Sequence, residues 1–393
     1  MNRRNFLKNS GFASTALMVP SFLQSYVANT SATKGKTLII VQLSGGNDGL
    51  NTIVPYRNDI YYKKRPKLSI KKEELIRVDD ELGFHPSLKT LKNVYDDGLM
   101  SIINSVGYPN PDRSHFRSMD IWQTGSGSEE YWSSGWLGRY LDSDCSGCEN
   151  PYQAIEVDDS LSLALKGKSN NGFAVSHPRE LKKATDNSFL KSMASQQVHQ
   201  EEENLAYLYK TMIDTQSSAD YLYKQAKTYD ATVSYPNSSF ARDLKCISSL
   251  MTSGTDTRVY YVSIGGFDTH ASQKGKQKRL LKEYAEGISA FIKDLKNHRL
   301  LSDTMIMTFS EFGRRVKQNA SGGTDHGTAN NVFLMGGDLP KQGFFNEAPD
   351  LTDLDNGDLK YKIDFRSIYA SLLDNWLETD AKAVLGGYSK KLF

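Results

Sequence analysis

The sequence predicts an α/β protein with a mostly parallel central sheet and helices on both faces. Three observations predict it. Continuous apolar runs at 37–43, 257–264 and 305–309 are long enough for buried strands, and each breaks off in a polar, glycine-bearing loop. Stretches with apolar residues at helical spacing follow the runs, giving strand–turn–helix order. Acidic and imidazole side chains stand where the runs end, the edge at which open α/β sheets gather ligands.

Taken in order, Thr37–Leu43 is the first strand, and it ends in the turn-forming Ser44-Gly45-Gly46-Asn47-Asp48-Gly49-Leu50-Asn51. Residues 56–80 read as a loop excursion. His85-Pro86 starts a helix that carries Leu88, Leu91 and Tyr95 on one face and stops at Gly98. Leu99–Val106 is the next strand, and Asp112-Arg113-Ser114-His115-Phe116 opens a helix running to about Gln123. From about 126 to 235 the pattern weakens into Gly/Ser stretches, a short strand near Tyr152–Val157 and polar helices bearing Leu205, Leu208 and Met212. This part reads as a mainly helical and loop insertion on a single domain spanning 33–393. Strand order returns at Thr257–Ile264. A long helix with Leu281, Tyr284, Ile288, Ile292 and Leu295 on its buried stripe follows, with Lys274, Lys276, Lys278, Arg279 and Lys282 solvated. Met305–Phe309 and Val332–Met335 are two further strands. Asp364 caps a last helix with the stripe Phe365, Ile368, Tyr369, Leu372 and Trp376.

The formal net charge is only +2, so no nucleic-acid partner is expected. Arg3-Arg4 precedes the mildly apolar run Gly11–Leu23, the pattern of a twin-arginine (Tat) signal in residues 1–32. The expectation is export by the Tat machinery to the periplasm or beyond, with no stable membrane insertion, because that run is short and polar. Cys145 and Cys148 form a lone Cys-x-x-Cys, a poor zinc site that is structural or incidental in an exported chain.

The chemistry gathers in Asp48, Asp268 with His270, Glu311, and Asp325 with His326. Carboxylates mixed with imidazoles make a credible divalent-cation site, because the ion cancels the repulsion among the acids. Any one of these acids alone is as well explained as a cap on the loop or helix that follows. Four such clusters at the borders of apolar runs favour a site. Ser114 starts a helix, where free N–H groups favour anions, so it reads either as a metal-activated nucleophile or as a simple N-cap. Arg113 and Arg117 are available to hold an anionic ester group.

These blocks, Leu43–Asn51, Ser114-His115-Phe116, Gly266-Phe267-Asp268-Thr269-His270, Ser310-Glu311-Phe312-Gly313-Arg314 and Asp325-His326-Gly327, resemble the domain-of-unknown-function 1501 family of Tat-exported proteins. That family is similar, more distantly, to the alkaline phosphatase and sulfatase superfamily. The resemblance implies an alkaline-phosphatase-like core and an exported metal-dependent hydrolase of phosphate or sulfate esters, acting on a small-molecule or glycan ester. It implies metal ligands Asp48, Asp268, His270, Glu311, Asp325 and His326, and a catalytic group of Ser114, His115, Arg113 and Arg314. One or two zinc, calcium or manganese ions are implied. Phe312 stands where the superfamily motif has a histidine, so one ligand is missing unless His115 supplies it, and one ion or none stays open. The alternative is a catalytically degenerate binding or assembly protein of the cell envelope.

Overall fold

Strand β1 (Thr37–Leu43) lies in the middle of the main sheet because nearly every one of its residues is apolar and buried. The computed structural model describes residues 35–144, 151–186, 218–227 and 229–393. The export segment, the Cys145/Cys148 pair and the Leu205, Leu208 and Met212 stripe lie outside these residues. The other strands are β2 (Met100–Gly107), β3 (Ala154–Glu156), β4 (Phe173–Ala174), β5 (Val259–Ile264), β6 (Thr304–Phe309), β7 (Asn330–Gly336), β8 (Gly343–Phe344) and β9 (Ile363–Asp364). They form a nine-stranded sheet in the order β8-β2-β7-β6-β1-β5-β3-β4, with β9 also beside β2.

β1 pairs in parallel with β5 and β6, β5 with β3, and β3 with β4. β7 runs antiparallel to both of its neighbours, β6 and β2, while β8 and β9 are parallel to β2. A single strand, β7, is therefore reversed within this sheet. Its start, not its end, lies at the edge where β1, β2, β5 and β6 finish.

Alternation along each strand divides the core into two layers. Ile39, Val41, Tyr260, Val262, Ile306 and Phe333 face one side. There they meet helices α1 (Lys89–Asp96), α4 (Ser239–Thr252) and α5 (Gln273–Asn297). Leu38, Ile40, Tyr261, Met307 and Leu334 face the other. There they meet α2 (His115–Thr124), α3 (Trp136–Asp144) and α6 (Phe365–Ser371). Each fully buried side chain of this size is worth roughly 1.5–3 kcal/mol, so both helical layers are held firmly. The buried stripe of α5 and the Asp364 cap on α6 are as the spacing predicts.

One expectation changes. Residues 56–80 are not all loop: Asn58 caps a helix at Asp59–Lys64, and Ile53–Val54, Ile76–Arg77 and Gly83–Phe84 form a small antiparallel sheet. These pieces are too short for a periodic pattern to show. Among the described residues of 126–235, β3 and β4 extend the main sheet and α3 buries Trp136, Leu137 and Tyr140.

Candidate metal centre

The turn after β1 sets the geometry. Gly45 has φ +115, and a Cβ there would lie 2.4 Å from the Asp268 nitrogen, so only glycine lets this turn pack on the loop after β5. Gly46 has φ +73 and sits against the Phe312 ring. Arg314 ties the loops together from beneath. Its Nε donates to the Gly46 carbonyl at 2.7 Å, Nη1 to that of Thr324 at 2.9 Å, and Nη2 to Asp268 Oδ1 at 2.7 Å and to the Phe267 carbonyl at 3.1 Å.

Three imidazoles surround Asp268 on this platform. From Asp268 Oδ1 the Nε2 atoms of His270, His326 and His115 lie at 3.1, 3.4 and 3.6 Å. The Nε2 atoms of His270 and His326 are 2.9 Å apart. Each ring is held at its other nitrogen. Nδ1 of His115 faces Glu311 Oε1 at 2.8 Å, that of His270 faces Asp325 Oδ1 at 3.2 Å, and that of His326 faces the Arg113 carbonyl at 2.7 Å. A carbonyl or carboxylate oxygen can only accept, so these partners assign the hydrogen to each Nδ1 and turn each Nε2 lone pair inward.

Four electron-rich atoms so close together repel one another unless protons or a cation lie among them. His115 Nε2 is buried and has no hydrogen-bond partner. His115, Asp268 and His326 each present one donor atom within 4.8 Å of the other two, and His270 adjoins two of them. Tetrahedral zinc with bonds of about 2.0–2.1 Å separates its ligands by about 3.3 Å, within the spread seen here. Imidazoles backed by carboxylate or carbonyl acceptors are the usual surroundings of such an ion. The donor set fits a divalent cation.

The electrostatics agree. Burial opposes charge on Asp268, but the hydrogen bond and charge of Arg314, with His270 and His326, outweigh it and hold the carboxyl down at about 2. The hydrogen bond to Glu311 raises His115 above the ordinary imidazole range, against its burial, whereas burial lowers His326. Asp325 is lowered by its hydrogen bond from Asn319 and by His270.

Of the residues expected as ligands, Asp268, His270 and His326 come together, and His115 joins them. The structure gives the others different partners. Asp48 is buried, and its Oδ2 accepts from Arg65 Nη1 at 2.6 Å and from Gln273, while its Oδ1 has no hydrogen-bond partner. Glu311 takes the Gly45 N–H and the His115 ring, so it orients that imidazole. Asp325 does the same for His270. Arg314 is fully buried with its nitrogens committed to the loops, and so is unavailable to a substrate. Ser114 is the N-cap residue of α2, yet its side chain makes no capping hydrogen bond, and it is exposed. Arg113 donates to Asp358, which also accepts from Arg315 Nε at 3.0 Å. His85 stands apart, buried as an N-cap, with its pKa pushed down to about 4 by burial.

Arg65, Asp358 and Asn319 were not legible as supports. Nothing in the spacing separates Arg65 from Lys63, Lys64 and Lys67 beside it.

Fold and site together define an α/β protein with a histidine- and aspartate-rich centre at the carboxyl edge of a mostly parallel sheet. The chain belongs to the family described as protein of unknown function (DUF1501), whose model matches residues 35–353. No curated protein matches the chain. Among solved structures it is similar to the C-terminal periplasmic domain of EcEptC from Escherichia coli in complex with Zn, at 10% identity over 78% of this chain and 74% of that one, TM-score 0.38. It is similar to the lipoteichoic acid synthase LtaP from Listeria monocytogenes, at 10% identity over 80% and 68%, TM-score 0.37. A protein in the alkaline phosphatase superfamily from Vibrio parahaemolyticus gives 11% identity over 79% and 62%, TM-score 0.35. No helix among the described residues is long and apolar enough to cross a membrane.

Proposed function

We propose that the chain is an exported, metal-dependent hydrolase of phosphate or sulfate esters, with Asp268, His115, His270 and His326 as the metal-holding set. The observation that carries the reading is the convergence of three Nδ1-anchored imidazoles on one carboxylate, with the buried His115 Nε2 left without a partner. Nitrogen-rich sets of this kind favour zinc over calcium.

When bound, a divalent cation supplies charge stabilisation for an ester oxygen or a nucleophilic alkoxide. The chain supplies the rest. Ser114 lies between Arg113, whose carbonyl holds His326, and His115, and its hydroxyl is free of capping duty, so it is the candidate nucleophile. The unpaired N–H groups at the start of α2 favour an oxyanion there. Arg113, fixed through Asp358 yet partly exposed, is suited to grip that oxyanion. Export by the Tat route is part of the same reading and rests on Arg3-Arg4 and the weakly apolar run behind it.

The test is metal content by mass spectrometry on full-length protein purified without chelator, followed by assay on aryl phosphate and aryl sulfate esters. Near-stoichiometric metal, lost in His326→Ala, with turnover lost in Ser114→Ala, is the expected result. A folded protein that holds no metal overturns the reading. Metal without turnover of any ester would favour the binding-protein alternative.

A further inference from the structure

The centre is flanked by a cleft of about 430 Å³, lined by Lys64, Arg315, Lys317, Asn319 and Asp325 among others. It forms where the chain after Asp59–Lys64 crosses the chain after Arg314. Gln318 N donates to the Lys64 carbonyl at 3.1 Å, and its Oε1 accepts from the nitrogens of Lys67 and Leu68 at 2.8 and 3.0 Å. Buried Arg65 fastens the crossing, giving Nε to the Val316 carbonyl at 2.9 Å and Nη2 to that of Arg315 at 2.8 Å. The cleft is thus a built feature, not a chance fold of surface side chains.

Its charge is one-sided. Lys64 and Lys317 are exposed and form no ion pair among the described residues. The carboxylate in the lining, Asp325, is already engaged by His270 and by Asn319 Nδ2 at 3.1 Å. The cleft also abuts the centre directly, because Asn319 and Asp325 are the groups that hold His270, with Asn319 Nδ2 on the His270 carbonyl at 2.9 Å. Asp358 carries the line of cations inward by binding Arg315 on one oxygen and Arg113 on the other. Cations therefore run from the cleft to the arginine suited to grip the reacting oxyanion.

We infer that the cleft receives a second anionic group of the substrate, so that the preferred ester carries at least two phosphates or two sulfates. This rests on the reading of the neighbouring centre as the reacting site. An ester with one phosphate or sulfate would leave Lys64 and Lys317 in water, whereas one with two gains an attraction that salt screens.

The experiment compares ligands bearing two anionic groups with ligands bearing one, on the full-length, metal-bearing protein by calorimetry. The phosphate pair is glucose 1,6-bisphosphate against glucose 6-phosphate, and the sulfate pair is a disulfated against a monosulfated disaccharide. In at least one pair the ligand with two anionic groups is expected to bind about tenfold more tightly, the order of magnitude two partly exposed charge contacts give. The pair that shows the preference tells which oxyanion the cleft takes. Raising the salt from about 0.05 M to about 0.5 M should erase most of it. Lys64→Gln with Lys317→Gln should remove the preference while leaving the ligand with one anionic group unaffected, and Lys64→Arg with Lys317→Arg should keep it. No preference in the wild type, or one that survives the double glutamine variant, overturns the inference. If His326→Ala shows the metal reading to be wrong but the preference persists, the cleft stands and the centre does not.

Discussion

Glu311 Oε1 lies 2.8 Å from His115 Nδ1 and also accepts the Gly45 N–H at 2.8 Å. One buried carboxylate oxygen thus fixes both a candidate ligand ring and the turn after the first strand. Glu311→Gln keeps the shape and an acceptor oxygen but removes the charge behind the imidazole. Metal affinity should fall about 10- to 100-fold, the usual effect of losing such a partner. Titration against a chelator of known affinity measures it, and an unchanged affinity would remove His115 from the ligand set.

Gly45→Ala should destabilise the fold by roughly 1–3 kcal/mol, since φ +115 is strained for alanine and the new Cβ would run into the Asp268 backbone. Melting temperature reads the loss. Metal content should drop with it, because the displaced loop carries Asp268.

Burial pushes Glu156 up to about 7, against the hydrogen bond it accepts from the Ser162 nitrogen at 2.6 Å. Its folded pKa thus exceeds the unfolded one, so the folded state holds the extra proton between about 4.5 and 7. Stability from this group is greatest below that window and falls as pH rises through it. Glu156→Gln, which cannot ionise, should raise the melting temperature at pH 8 relative to wild type and change it little at pH 5. An equal shift at both values would show that the carboxyl titrates normally.

Far from the centre, buried Asp294 accepts from the Thr232 nitrogen at 3.1 Å, Thr232 Oγ1 at 2.7 Å, Tyr235 at 2.8 Å and Ser248 at 2.7 Å, and from Tyr229 as well. It pins the chain at 229–235 onto α4 and α5. Asp294→Asn should cost about 1.5–3 kcal/mol in urea unfolding, the scale of hydrogen bonds to a charged group, and leave metal content alone. A smaller loss would mean that the hydroxyls find other partners.

The sequence made the framework legible because long buried strands and the stripe of α5 are periodic patterns that local composition carries. It also marked Asp268, His270 and His326, since each stands beside an apolar run. What it could not carry was which way a strand runs. With β7 antiparallel, His326 arrives from the strand's start, and the acid one residue earlier, Asp325, turns to His270 instead of into the cluster. Asp48 and Arg314 look like ligand and anion holder from their loops alone. Their actual partners, Arg65 and the carbonyls of Gly46 and Thr324, are set by tertiary packing. The same holds for Phe312, whose ring lies 4.8 Å from that of His115 and 4.7 Å from that of His326 and wedges both.

Because β7 is reversed, the chain that leaves β6 and the chain that enters β7 begin and end at one rim, and the link between them never crosses the molecule. That link holds Glu311, Arg315, Lys317, Asn319, Asp325 and His326. Through Glu311 and Asp325 it orients two of the three imidazoles, and it carries Lys317, while Arg113 and Lys64 reach the same rim from elsewhere in the chain. A change in the length or composition of this link would therefore alter ring orientation and the charge of the cleft together.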